Sequence, residues 1–423
     1  MNMSEIFAGY SSCVAAGDNG YTYIYSDATL DTYKKCCEAL KEAKLEVYTE
    51  TQFNGTDSDE FKNYFATFVS EEDRVDVEYH AVDSRMYVNT TPMSASVLPL
   101  KEAPAYTAAG EKYPTILTQV GHEDIYDCSN LCIITRIADG SFIVIDGGVA
   151  SDGVAERIYE TLVKQAPDPD NIVISAWFIT HADWDHASGY LSFARKYKGA
   201  KNINLKQFVC NYPDDSLLVE SDPGLPTRHK DTIQEASFIG KDVEIMKVHT
   251  GNVLYYADVK INVLYTQEDY LFRGTKFGNY NTSSLVLQMI TSDGTKVLIG
   301  GDHPVDGIYE GYEWCDGAIY RWYGNFIESD VCTTFHHGYG GGADEKGVVY
   351  TKIKPRIVLW TVTESRIEKD ELTNRTRNKY FTKPSEGVDV KYYVAGDNVQ
   401  VLSFADGRAN VTEYDTFGEY LNG

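Results

Sequence analysis

Hydrophobic and polar positions change their rhythm along the chain. Between about residue 20 and residue 104, segments 20–25 and 45–52 alternate with period two, and segments 30–43 and 58–70 carry apolar residues at helical spacing. Segments 75–82 and 85–89 alternate again around a short polar break, which predicts a hairpin. This pattern predicts a small α+β domain over residues 1–104. Residues 98–112, with Pro99, Pro104 and an Ala-Gly pair, read as a linker, so a second domain is expected over 113–423.

Beyond residue 114 the chain becomes strand-rich. Segments 116–120, 131–137 and 141–145 read as successive strands, the last ending in Asp146-Gly147-Gly148, and a helix is expected over 154–165. Residues 172–179 are β-branched and aromatic with no charge, the signature of a strand buried on both faces. A helix is expected over 190–198. Further on, 243–248 with 259–265, 284–290 with 296–299, and 331–335 with 356–361 read as strand pairs. Two groups of strands separated by helices predict two sheets with helices outside.

The uncharged strand runs into Ile179-Thr180-His181-Ala182-Asp183-Trp184-Asp185-His186, where four metal-capable side chains fall within six residues. Carboxylates packed this closely repel and raise one another's pKa, and a cation removes that penalty. Three other strand ends add chemistry of the same type: Asp302 after Gly300-Gly301, His336-His337-Gly338 after 331–335, and Asp146, which suits a residue orienting a ligand from behind. Alone, a strand-terminal Asp is more often a turn former and a His pair more often surface. Together on one scaffold they predict a metal centre.

Composition narrows the partners. The 423 residues allow two or three domains and a large core, and 43% hydrophobic residues mark a globular chain. The N-terminus lacks a basic start followed by an apolar run, and no apolar stretch is long enough to span a bilayer, so a soluble cytoplasmic protein with no membrane association is expected. Eight cysteines without a CxxC pair fit reduced thiols better than a disulfide framework or a cysteine zinc site. A net charge of −25 repels nucleic-acid phosphates, which disfavours polymeric DNA or RNA and points to a small-molecule substrate. Homo-oligomerisation stays open, and the 32 tyrosines read mostly as half-buried strand residues.

Asp146-Gly147-Gly148, the cluster from His181 to His186, Gly301-Asp302 and His336-His337-Gly338 together resemble the metallo-β-lactamase fold superfamily. The likeness runs from about residue 114 to the C-terminus. Asp183 as the third motif residue, the segment Asn281-Thr282-Ser283-Ser284-Leu285 and His-His-Gly look most like the branch containing the hydrolase domain of bacterial competence DNA-uptake channel proteins. The resemblance implies an αββα metallo-β-lactamase sandwich, here preceded by the small α+β domain. It implies two divalent ions: His181 and Asp183 on one, Asp185 and His186 on the second, Asp302 on both, and His336 or His337 completing the second. The superfamily's further histidine is not evident; His249 reads as structural, and Asn281 or Ser283 stands in that interval. Where the branch ends in Tyr-Gly-His-Pro, this chain has Lys383 before Pro384.

Paired divalent ions about 3.5 to 4 Å apart lower the pKa of a shared hydroxide and polarise the electrophile it attacks. The expected activity is therefore metal-dependent hydrolysis of a small phosphodiester or related ester, with Asp185 orienting the nucleophile and His336 or His337 serving as a further catalytic group. Zn²⁺ is the first expectation for the metal; Asp183 in place of an imidazole hardens the ligand set and makes Mn²⁺ or Fe its rivals. A lactone, thioester or amide hydrolase on the same ions, and a degenerate metal-binding protein, are the alternatives.

Overall fold

The computed structural model describes residues 6–7, 9–17, 19–55, 62–104, 112–121, 131–219, 224–273, 276–277, 280–303, 318–339 and 348–423. Its strands form three sheets. The first contains β1 (Ser12–Ala15), β2 (Tyr21–Tyr25), β3 (Glu46–Thr51), β4 (Asn63–Val69), β5 (Asp73–His80) and β6 (Arg85–Pro92), antiparallel throughout in the order β1-β2-β6-β5-β4-β3. Helix α1 (Leu30–Glu42), started by a Thr29 capping box, lays Tyr33, Cys37 and Leu40 on the apolar face made by Phe68, Val75, Val77 and Val88.

The second sheet takes β7 (Ile116–Val120), β8 (Ile133–Arg136), β9 (Phe142–Ile145), β10 (Ile172–Phe178), β11 (Ile203–Leu205), β12 (Gln207–Cys210) and β13 (Glu244–Lys247). The third takes β14 (Val253–Tyr256), β15 (Val259–Tyr265), β16 (Val286–Ile290), β17 (Lys296–Ile299), β18 (Val331–Thr333), β19 (Ile357–Trp360) and β20 (Lys391–Val394) in sequence order, before β21 (Val399–Ala405) and β22 (Arg408–Tyr414) return to the edge of the second. Ile143, Ile145 and Phe178 from one sheet meet Leu287, Val297 and Ile299 from the other in a core between them. Outside the second sheet, α2 (Asp152–Gln165) and α3 (Trp184–Lys196) bury Ile158, Leu162, Tyr190 and Phe193 against Ile174 and Trp177. Outside the third, Trp322, Tyr350 and Phe381 cover Leu298, Val358 and Trp360. The layers run helix, sheet, sheet, helix, which is the expected αββα sandwich.

Three expectations change. Segment 58–70 is not helical where it is described: residues 63–69 form β4, because Tyr64, Phe65, Phe68 and Val69 have strong strand propensity and β3 and β5 pair with them on both sides. The helix expected from residue 190 begins at Trp184, with Asp183 at its cap position, so Asp185 and His186 lie in its first turn. Segments 243–248 and 259–265 do not pair: β13 lies parallel to β12 and β15 pairs with β14 and β16. Cys128, Cys315 and part of the linker fall outside the described residues, and no described helix is long and apolar enough to cross a membrane.

The other face of the first sheet is charged and still buried. On β5, Arg74, Asp76, Glu78 and His80 are each at most 4% exposed, turned toward the sandwich. Arg74 grips Asp76 with two hydrogen bonds of 2.7 and 3.1 Å and donates to Asn252 Oδ1 and the carbonyl of Lys247, while Asn252 donates back to Asp76. Burial raises the pKa of Asp76, but Arg74 and then His249 outweigh it and hold the carboxyl below its ordinary value. Its contribution to stability is therefore present above about pH 4 and is lost as pH falls through the depressed folded value. Replacing one partner of such a pair leaves the other buried and unpaired. Asp76→Asn is expected to lower unfolding free energy by about 3–5 kcal/mol, seen as a reduced urea midpoint at pH 7, and the deficit should shrink as wild type and variant are compared at progressively lower pH.

Candidate metal centre

Four strand ends converge. β9 and β10 run parallel, as do β17 and β18, so each pair delivers its carboxyl ends to one sheet edge. Leu285 N donates to Thr180 O, stitching the two edges together, and Asp302 N donates to Ser284 Oγ within the third sheet.

A close backbone contact positions the motif helix. Gly147 N donates to His186 O and Gly189 N to Gly148 O, and a Cβ on Gly189 would lie 1.9 Å from Gly147 O. Only glycine at both places lets α3 start this near β9. Behind the helix start, the buried Asp146 accepts from Thr180 N and Thr180 Oγ1, both at 2.7 Å, and lies 2.8 Å from His186 Nδ1. That contact turns His186 Nε2 toward Asp302 Oδ1 at 3.1 Å.

The second histidine turn is held in an uncommon shape. His336, His337 and Gly338 have φ of 46°, 52° and 85°, a run L-residues avoid without external support. Support comes from Arg377 Nη2, which donates to Phe335 O at 3.0 Å and also to Tyr339 O, from Asn378 Nδ2 to Gly338 O, and from Trp360 Nε1 to His337 O. His337 Nδ1 lies 2.8 Å from Thr361 Oγ1, which leaves Nε2 facing Asp302 Oδ1 at 3.2 Å and Asp185 Oδ2 at 3.4 Å.

The structure thus brings Asp185, His186, Asp302 and His337 together, with one ligand atom from each all within 4.8 Å of one another. The remaining candidates face the other oxygen of Asp302. His181 Nε2 is 4.0 Å and His336 Nε2 3.8 Å from Asp302 Oδ2, and His181 Nε2 is 3.6 Å from Asp183 Oδ2. Asp183 holds the cap position of α3 without a side-chain cap bond, so its carboxylate is turned to His181 instead. Of the two polar residues considered for this side, Asn281 Nδ2 meets His336 Nε2 at 3.0 Å, whereas Ser283 Oγ is spent on Tyr280 O. His249 pairs with Glu268 at 3.2 Å and lies 3.9 Å from Asp76, and Lys383 is exposed.

The electrostatics suit a cation. Burial opposes a charge on His186 and His337, yet Asp302 beside both, with Asp146 on the first and Asp185 on the second, raises His186 well above the ordinary value and His337 to about 9. Burial also opposes ionisation of Asp302, but His337, His186 and His336 hold it well below the carboxylate range. Positive charge is stabilised at this point, and a divalent ion supplies it in exchange for protons. His181 Nε2 and Asp302 Oδ1 are buried without a hydrogen-bond partner, the condition of atoms arranged for a metal. Burial pushes His336 down to about 4, leaving it a neutral imidazole. The donor set therefore fits divalent metal.

Thr180, Thr361, Arg377 and Asn378 carried no signal in the sequence, because each acts by bracing a ligand from another strand. Arg228 on α4 (Leu225–Glu235) was also missed; its Nε donates to Ala182 O at 2.7 Å. A cleft of about 560 Å³ beside α4 is lined by Tyr212, Asp214, His229 and Lys230 among others. None of the candidate ligands lines it, but His229 on its wall directly follows Arg228, whose bond to Ala182 O ties α4 to the cluster, and burial lowers His229 to about 4.

Residues 125–204 match the family model of the metallo-beta-lactamase superfamily. Its members bind divalent metal ions and are generally hydrolytic. Among solved structures, the chain is similar to a metallo-beta-lactamase with a HARLDQ motif from Cronobacter sakazakii, at 11% identity and a TM-score of 0.30, covering 56% of this chain and 79% of that one. It is similar to CmlA, a diiron beta-hydroxylase from Streptomyces venezuelae, at 12% and 0.34, covering 70% and 55%. A long form RNase Z from yeast aligns at 11% and 0.34, covering 75% and 44%. No protein of curated function matches.

Asp146→Asn is expected to weaken metal affinity about 10- to 100-fold, measured by competition with a chromophoric chelator, since it removes the carboxylate that orients His186. Gly189→Ala should cost about 3 kcal/mol or more in unfolding free energy, because the backbone of Gly147 must move. A melting curve matching wild type would contradict that contact.

Proposed function

We propose that the protein is a hydrolase of small phosphodiesters working through two divalent ions, Zn²⁺ or the harder Mn²⁺ or Fe. The observation that carries this reading is the division of ligands across Asp302. Oδ1 faces His186 and His337 with Asp185 beside them, and Oδ2 faces His181 and His336 with Asp183 beside them. In this reading His337 completes the second ligand set. His336 joins the first and takes the place of the histidine that the motif order lacks.

Bound there, paired ions supply a nucleophile active near neutral pH and polarise the electrophile. The chain's own groups do the rest. Asp302 spans both ligand sets, and Asp185, kept ionised by its contact with His337 against the effect of burial, accepts a hydrogen bond from the attacking nucleophile. Arg228 donates to the carbonyl between His181 and Asp183, so a guanidinium borders the first set and favours an anionic substrate. The net charge of −25 argues for a small anion over a polymer. Likeness to the competence-type motif at Asp183 and the Asn281 segment supports the phosphodiester in the same direction. The free thiols of Cys37, Cys132 and Cys332 suit a reducing cytoplasm, and residues 1–104 are read as a separate domain docked on the hydrolase of residues 113–423.

With bis-p-nitrophenyl phosphate, Asp185→Asn is expected to lower kcat/KM by roughly 100-fold or more while the variant still folds. Equal rates for wild type and variant would sink the assignment. Turnover of lactones or thioesters but not of the phosphodiester would transfer it to the other ester class, and a metal-loaded protein inert on every ester would make it a binding protein.

A further inference from the structure

A second group of metal-capable side chains is buried at the seam between the first sheet and the sandwich. Strand β5 reads Arg74-x-Asp76-x-Glu78-x-His80 on one face, an alternation normally turned to water. Here that face is covered. Arg74 is paired with Asp76, His249 with Glu268, and Arg85 lies 3.8 Å from Asp83. Two carboxylates remain, Glu78 and Asp269, together with His80. One ligand atom from each lies within 4.8 Å of the others.

The hydrogen bonds around the three leave four atoms unpartnered. Asn63 Nδ2 donates to Phe53 O and Trp322 O, which fixes its Oδ1 as the acceptor facing His80 Nδ1 at 2.9 Å. A proton of His80 is therefore on Nδ1, and Nε2 faces Asp269 Oδ1, 3.5 Å away. Asp269 Oδ2 is occupied by Thr250 Oγ1 at 2.6 Å and Thr266 N at 2.9 Å. That leaves Asp269 Oδ1, His80 Nε2 and both oxygens of Glu78, all buried with no hydrogen-bond partner. An unprotonated Nε2 at 3.5 Å from a carboxylate is repulsive unless something positive lies between them. The spacing matches two ligands on one tetrahedral ion with bonds of about 2.1 Å, whose edge is about 3.4 Å.

We infer that Glu78, His80 and Asp269 form a structural site for one divalent transition-metal ion, with Glu78 bidentate. The ion neutralises the two carboxylates and fastens β5 to the segment 267–273 of the sandwich. The amide oxygen of Asn63 accepts from His80 Nδ1, as a carbonyl or carboxylate commonly does behind a metal-binding imidazole. The site does not rest on the hydrolase reading. Its competitor is a proton: burial, then Asp269 and Glu268, push the carboxyl of Glu78 well up, so a neutral Glu78 sharing a hydrogen with Asp269 would also relieve the repulsion.

Metal analysis separates the two. In Asp302→Ala, which removes the residue common to both catalytic ligand sets, Zn²⁺ or Mn²⁺ reconstitution is expected to leave one tightly held equivalent per chain. Adding Glu78→Gln should remove it and lower the melting temperature. The same ion count with and without Glu78→Gln, or no ion in Asp302→Ala, overturns the site; Glu78→Gln as stable as its parent would match the shared proton instead. A second readout needs no change at the ligands. His80 stacks on Trp322 with ring centroids 4.1 Å apart, so Co²⁺ added to metal-free protein should quench Trp322 fluorescence, and Trp322→Phe should lose that component. Quenching unchanged in Trp322→Phe counts against the site.

Discussion

The carboxylate of Asp302 is the element on which the rest of the site depends. It is 3% exposed, and a buried anion is tolerable only where compensating charge is close. All four histidines of the cluster face it. Gly301, at φ 49°, lets the backbone turn directly after β17, and Ser284 Oγ accepts from Asp302 N, so the side chain leaves the third sheet toward the second. His186 comes to it from α3 and His337 from the turn after β18. Removing the negative charge would remove the reason for either imidazole to be charged, and the strained histidine turn would lose its purpose along with its partner.

Much of the sandwich was legible because its strands are buried on both faces. Uncharged runs such as 172–178 leave little room for another reading, and several run into a candidate ligand. The motif residues were legible for the same reason, since a carboxylate or imidazole immediately after a buried strand stands out. What could not be read was which atom faces which. His336 and His337 are adjacent in sequence, and only their positive φ values send one ring to each oxygen of Asp302. The supports for that turn, Arg377, Asn378 and Trp360, come from segments whose local pattern concerns their own packing.

One strand of the first sheet departs from its local pattern. Residues 63–69 carry apolar side chains at spacings that fit a helix as well as a strand, and pairing with β3 and β5 decided the matter. The alternation on β5 was read as a strand, but alternation says only that two faces differ. It does not say that the polar one is wet. Here the polar face meets a polar counterpart of Asn252, His249, Glu268 and Asp269, and a charged seam of this kind fixes one docking orientation where an apolar seam would allow several. Tyr87, which donates to Asp269 O from within an otherwise apolar cluster, shows how finely the two surfaces are matched.

The candidate ligands gathered at one oxygen of Asp302 come from distant parts of the chain. His186 and His337 touch in space and stand 151 residues apart in the chain. At a synthesis rate of about 5–20 residues per second, the first four motif residues leave the ribosome roughly 8 to 30 s before the second histidine turn exists. For most of that interval the nascent chain offers two imidazoles and two carboxylates without Asp302 between them. Any ion captured then is held by an incomplete and flexible set. A metal kept by these residues would therefore be selected by the finished sandwich, after closure of a loop that long, and not by whichever ion the emerging motif meets first.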